Sequence, residues 1–455
     1  MALLLGGILT VCLLGGCITP PPTPRIVRLN NAKKPDTGKF WWGISSSAYQ
    51  TEDIGEKPGS PNDFKTDWDL FAEAGRVPPK GLTADYSWSN FDKDLEALKK
   101  IGVNHYRFGI EWARVEPQPG HYNEAAIRRY VWMAQQLKAA GIEPVVTLWH
   151  FTFPSWLVTP KNAGKSQWFH PLFRERWPLY VDKMTKALAP YVKVYVPQNE
   201  PNGALVLGYM GAVWPPGLLL DTGKYGAAMD QSVWAFRKAA EIIRQDRKDA
   251  QIICVTALPY WLRTLWDPTS AYYNFMQRVN FSHLDRVYDV CDLIGFNYYY
   301  TEYADFTALI ALKARHGRNY SLLGWVIQPR SLYKQIKILA HRYEKPIVVT
   351  ENGIATSKDI KRVRYLFNHM LEVREAMEDG MDVRGYFVWT LVDNYEWHHA
   401  YKAPFGMSRM DPITKRRLLR PSALFYKGII STSEESTMLD EVSSKPELPP
   451  GLIER

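Results

Sequence analysis

The chain has 455 residues, 46% hydrophobic and 23% charged, with 56 Lys and Arg against 47 Asp and Glu and a net charge of +9. This profile excludes a disordered chain, and with no long apolar run after the N-terminus it excludes a polytopic membrane protein. The basic residues are scattered without a long run, so they read as a solvated surface and no nucleic-acid partner is expected. Aromatics reach 13%, and flat ligands that stack are one use for them.

The chain opens with MALLLGGILTVCLLGG (1–16), too short to span a bilayer comfortably and ending in small residues before Cys17. Leu14-Gly15-Gly16-Cys17 resembles the lipobox of bacterial lipoproteins. That resemblance implies a signal peptide over 1–16, cleavage, lipidation of Cys17 and an exported, membrane-anchored protein. No Lys or Arg follows Met1, unlike most signal peptides. Residues 17–39 are proline-rich and read as a stiff tether. Residues 431–455 read as a polar C-terminal tail.

Between them, residues 40–430 show eight short apolar runs, each followed by an amphipathic stretch. The runs are 40–46, 104–111, 143–150, 193–200, 251–258, 293–299, 346–353 and 383–391. In FDKDLEALKKIG the apolar residues Phe91, Leu95, Leu98 and Ile101 recur at helical spacing, with Gly102 at the C-terminal stop. Two further helical patterns stop in the same way at Gly141 and Gly380. Strand–helix alternation implies a parallel sheet, and eight repeats close a single (β/α)8 TIM barrel with enlarged βα loops. The rival, an open doubly wound sheet, needs a Gly-rich phosphate turn after the first strand, and GISSSAYQ has none. Cys254 and Cys291 sit in apolar runs and read as buried thiols, with a disulfide between them left open.

In such barrels the chemistry lies at the strand C-termini. Those ends here carry Gln50, Arg107, Glu111, His150, Asn199, Glu200, Asn297, Tyr299, Glu351, Asn352 and Trp389. Glu200 and Glu351 close strands four and seven, roughly opposite one another. Two carboxylates facing across a pocket suit glycoside hydrolysis, which needs a proton donor and a counter-charge on the opposite face of the sugar.

Several ordered motifs carry a further resemblance: Ser47-Ala48-Tyr49-Gln50, Tyr106-Arg107-Phe108, Thr147-Leu148-Trp149-His150, Asn199-Glu200-Pro201, Thr350-Glu351-Asn352-Gly353 and Asp393-Asn394-Tyr395-Glu396-Trp397. Over about residues 40–411 the chain resembles glycoside hydrolase family 1, the β-glucosidase and β-galactosidase group. The resemblance implies a retaining exo-acting β-glycosidase with Glu351 as nucleophile and Glu200 as general acid/base. Arg107 and Tyr299 would support the nucleophile, and Asn199 the sugar 2-hydroxyl. Gln50, His150, Asn297, Glu396, Trp397 and Phe405 would line the substrate site, with Trp389 as a stacking platform.

No metal or cofactor is implied. The substrate implied is a small β-glycoside or oligosaccharide, and the acid Glu396 argues against a 6-phosphorylated sugar. A transglycosylase would use the same glutamates, and a non-catalytic sugar-binding lipoprotein would keep the barrel alone. Phe151 stands where the family usually has Trp, Thr152 where it has an acid or amide, and His398-His399 where an acid is frequent.

Overall fold

The computed structural model describes residues 39–432, apart from 55–58, 61, 82–84, 160–161, 163–164, 266, 268 and 305–316. Cys17, the 1–16 segment and the 433–455 tail lie outside the described residues. Eight parallel strands close a barrel. They are β1 (Trp41–Ser45), β2 (His105–Gly109), β3 (Glu143–Thr147), β4 (Val194–Val196), β5 (Gln251–Ala257), β6 (Leu293–Asn297), β7 (Ile347–Asn352) and β8 (Val383–Trp389). Closure is made by β1, which pairs with both β2 and β8.

Each strand falls inside its expected run, and each stops short of the run's last residues. In the second, third and fourth runs the residues left beyond the strand include Glu111, His150, Asn199 and Glu200. At β4 only three residues remain paired as strand, and Glu200 instead caps a short helix over Pro201–Leu205 with φ +42°.

An outer ring of helices follows the strands: α1 (Phe91–Ile101), α2 (Glu124–Ala139), α3 (Phe173–Leu188), α4 (Thr222–Asp246), α5 (Ala271–Phe281), α6 (Arg330–Tyr343), α7 (Asp359–Glu378) and α8 (Pro421–Thr432). The last of these ends two residues beyond the expected domain limit at 430. Gly102 takes φ +87° at the stop of α1, a left-handed conformation that glycine adopts without a Cβ clash. Asn123 caps α2 by accepting from the Ala126 N–H at 3.0 Å.

Small and large residues interlock inside the barrel. Val145, Val194, Val196, Ile253, Val255, Leu293, Val348 and Phe387 fill the lumen as one cluster. Gly43 makes room for Phe387, since a Cβ there would lie 2.1 Å from the ring. The lumen is therefore packed, and ligands are confined to the C-terminal mouth. One polar surprise lies outside it: α1 buries Asp94, which Arg417 of the Ser408–Leu419 hairpin reaches at 2.5 Å. Cys254 and Cys291 are both buried free thiols.

Candidate active site

The centre of the rim is organised by Arg107, a wholly buried guanidinium on β2. It is too costly to bury such a cation unless its donors are all used. Nε donates to Thr147 Oγ1 at 3.0 Å, Nη1 to Glu351 Oε1 at 2.6 Å, and Nη2 to Asn199 Oδ1 at 2.6 Å. One side chain thus joins the ends of β3, β4 and β7.

Because arginine can only donate, it forces the Asn199 oxygen inward. The Asn199 amide nitrogen consequently faces His150, donating to Nε2 at 3.0 Å. Burial and the Arg107 charge push the His150 imidazole well below its ordinary pKa, so it stays neutral. With Nε2 accepting, Nδ1 carries the proton, and that nitrogen has no protein partner.

The two glutamates occupy unequal surroundings. Glu351 accepts from Arg107 on one oxygen and from the Tyr299 hydroxyl on the other, at 2.5 Å. Burial raises its pKa, and Arg107 and Tyr299 act against that rise. Glu200 has a weaker partner, the Asn297 amide at 2.7 Å. Burial first, and then the nearby Glu351 charge, push Glu200 up to about 8. The stronger donors on Glu351 thus favour its ionised form relative to that of Glu200.

Asn297 donates also to Asn199 Oδ1 at 3.1 Å and accepts from Thr350 Oγ1 at 2.7 Å. Both glutamates thus belong to one hydrogen-bonded assembly running Glu351–Arg107–Asn199–Asn297–Glu200. The roles of Thr147 and Thr350 as its props went unread in the sequence, although both lie within the motifs quoted above. A threonine on a strand looks like ordinary β-propensity, and only its neighbours reveal its use.

At the far side of the pocket, Gln50 is locked by Ser47, which donates to its oxygen at 2.9 Å. Its nitrogen donates to the Tyr395 carbonyl at 2.8 Å and to Glu396 at 3.2 Å. Glu396 is pushed up to about 8, chiefly by burial, with the Glu351 charge adding to it. The charge repulsion expected from Glu396 toward a phosphate is therefore weakened. Its remaining partners, Gln50 and Trp389, are neutral, so a phosphate would still be desolvated here without a counter-charge.

Aromatic rings wall the pocket. His150 lies between Trp389 and Trp397, with ring centroids 6.0 Å from each. Trp397 stacks on Tyr49 at 10° between planes and is also packed by Trp68, Phe151 and Trp214. Phe151, in the position where the resemblance suggested Trp, joins this wall with φ +74°. Thr152 is drawn away to Glu111, donating at 2.9 Å, and so does not face substrate. His398 accepts from the Trp214 indole at 3.0 Å, bridging the loops after β4 and β8. Phe405 is buried against Tyr299 and Trp325, and Trp325 continues the aromatic surface from Tyr299, the partner of Glu351. Trp325 had no local signal in the sequence, because it lies far from any strand end.

A closed barrel whose rim presents two unequally supported carboxyls, in a pocket of amides and indoles, defines a glycoside-hydrolysing enzyme. The chain belongs to glycosyl hydrolase family 1, whose family model matches residues 33–264 and 268–435. It is 26% identical to a β-galactosidase of Pyrococcus woesei, over 89% of this chain and 98% of that one. It is 25% identical to β-glucosidase A of Acetivibrio thermocellus, over 87% and 98%. Among solved structures, the β-glycosidase from Pyrococcus horikoshii superposes with a TM-score of 0.75 at 29% identity, covering 87% of this chain and 94% of that one.

Proposed function

We propose that the protein is a retaining, exo-acting β-glycosidase of the β-glucosidase type, acting on unphosphorylated β-glycosides without a cofactor. The observation that carries this reading is the unequal support of the two glutamates: Arg107 and Tyr299 on Glu351, a single amide on Glu200. The relatives named β-galactosidase and β-glucosidase A support the substrate class.

In this mechanism Glu351 attacks the anomeric carbon while Glu200 gives its proton to the glycosidic oxygen. The C–O bond breaks, the aglycone leaves as an alcohol, and the sugar is esterified to Glu351. Esterification removes the negative charge that helps to raise the Glu200 pKa, so Glu200, having given up its proton, stays ionised and free to act as base. Glu200 then takes a proton from water, whose oxygen displaces Glu351 from the sugar. Asn199 holds the 2-hydroxyl, Gln50, His150, Glu396 and Trp397 hold the other hydroxyls, and Trp389 stacks on the ring. The dense packing behind Trp397 favours a blind pocket and so attack at chain ends.

A panel of aryl β-glycosides assayed with Glu351→Ala and Glu200→Ala tests the assignment. Azide should restore turnover in both, giving a product of inverted configuration only with Glu351→Ala. Residual hydrolysis by Glu351→Ala without azide would overturn the nucleophile. The Leu14–Cys17 motif further supports export and a lipid anchor at Cys17. Incorporation of labelled fatty acid, lost in Cys17→Ala, is the measurement that checks it.

A further inference from the structure

The rim around the active site has an uneven surface chemistry. In the loops after β4 to β8, the exposed side chains include Leu219 (49%), Leu265 (95%), Leu322 (50%) and Tyr401 (50%). The same loops carry the exposed cations Arg263, Lys358 and Lys402. Among the described residues of these five loops, no Asp or Glu is exposed: Asp267 and Glu302 are buried, and Glu200, Asp221, Asp393, Glu396 and Asp411 are partly buried. Among the described residues of the loops after β1 to β3, the exposed acid is Glu73, which pairs with Lys65 at 2.7 Å.

The opposite end of the barrel differs. There exposed acids are frequent and matched by cations, as in Asp289 with Arg237 at 2.7 Å, Asp292 with Arg244 at 3.1 Å and Asp285 with Arg342 at 2.6 Å. That end suits water. Leucine and tyrosine interspersed with lysine and arginine, without acids, is instead the composition that settles on an anionic lipid surface. A soluble substrate asks for neither: a leucine almost wholly in water gains nothing unless something apolar covers it.

We propose that the catalytic rim docks on anionic lipid bilayers, and that the enzyme's substrates are β-glycosides whose aglycone is a hydrocarbon chain held in the bilayer. The inference rests on the β-glycosidase reading and names its substrate class. The sugar enters the pocket while the chain stays with the lipid beside the Trp325 side of the mouth.

The test uses the full chain on vesicles of phosphatidylcholine, with or without phosphatidylglycerol. Two substrates of one sugar are compared, a dodecyl β-glycoside in the vesicles and a water-soluble p-nitrophenyl β-glycoside. Wild type should cleave the dodecyl substrate about tenfold faster when the anionic lipid is present. Arg263→Glu/Leu265→Glu should lose that gain and leave the soluble substrate unchanged. Equal dodecyl rates for the two proteins, or no gain from anionic lipid, would overturn the proposal. Soluble-substrate turnover reads the glycosidase assignment separately. A fluorophore at Leu265→Cys reports docking without activity: its emission should shift to the blue on anionic vesicles, and an unchanged spectrum counts against the proposal.

Discussion

Asn297 Nδ2 lies 2.7 Å from Glu200 Oε1, so the amide that ends β6 aims the carboxyl that follows β4, the one proposed as proton donor. An N–H donor stabilises the carboxylate more than the neutral acid, and this bond lowers the pKa of Glu200 against the effect of burial. The same amide lowers that of Glu351. In Asn297→Ala both carboxyls should titrate higher. The whole bell of kcat/KM against pH should move upward, with kcat reduced about tenfold. A pH profile on an aryl glycoside checks it, and an unmoved profile rejects the positioning role.

Neutralising Glu351 should act on its partner in the opposite sense. Its charge is the second cause of the raised Glu200 pKa, after burial. In Glu351→Gln, Glu200 should therefore titrate below its wild-type value of about 8. Carbon NMR of labelled glutamate, or the infrared carboxyl band, reads the proton directly.

Glu396 shows a site that trades stability for binding. Its carboxyl moves from 4.5 to about 8, so between those values the native protein holds a proton that the unfolded chain has lost. Stability from this group is accordingly whole below pH 4.5 and declines as pH rises toward 8. Glu396→Gln should raise the melting temperature at pH 8 and make little difference at pH 4. The same variant should lower kcat/KM by about 10–100-fold, because a hydroxyl partner is weakened. Thermal scans at the two pH values, beside steady-state kinetics, test both halves.

Away from the pocket, Arg417 and Asp94 form a pair whose side chains are 0% and 1% exposed, tying the hairpin before α8 to α1. Arg417→Ala strands a buried carboxylate and should cost about 3–5 kcal/mol. Replacing both partners by leucine should recover much of that loss. A melting temperature unchanged in Arg417→Ala would overturn the stabilising role of the pair.

The eight strands, their order and the glutamate pair were legible in the primary structure because each rests on local chemistry. Apolar runs form strands, Gly102 and Gly380 stop helices, and a polar residue ending an apolar run must face a rim. The buried Asp94 was not legible, since its partner lies 323 residues away. Nor was the use of Thr147, Thr350 and Trp325, whose value comes from neighbours on other strands and loops.

What the chain alone determined was the barrel and the identity of its two acidic groups. Their roles were already implied by resemblance; only the folded arrangement decided how unequally they are held, with Arg107 and Tyr299 reaching Glu351 and a single amide reaching Glu200 across the mouth. Electrostatic energies are set by distance and solvent exclusion, and neither is written in the order of residues.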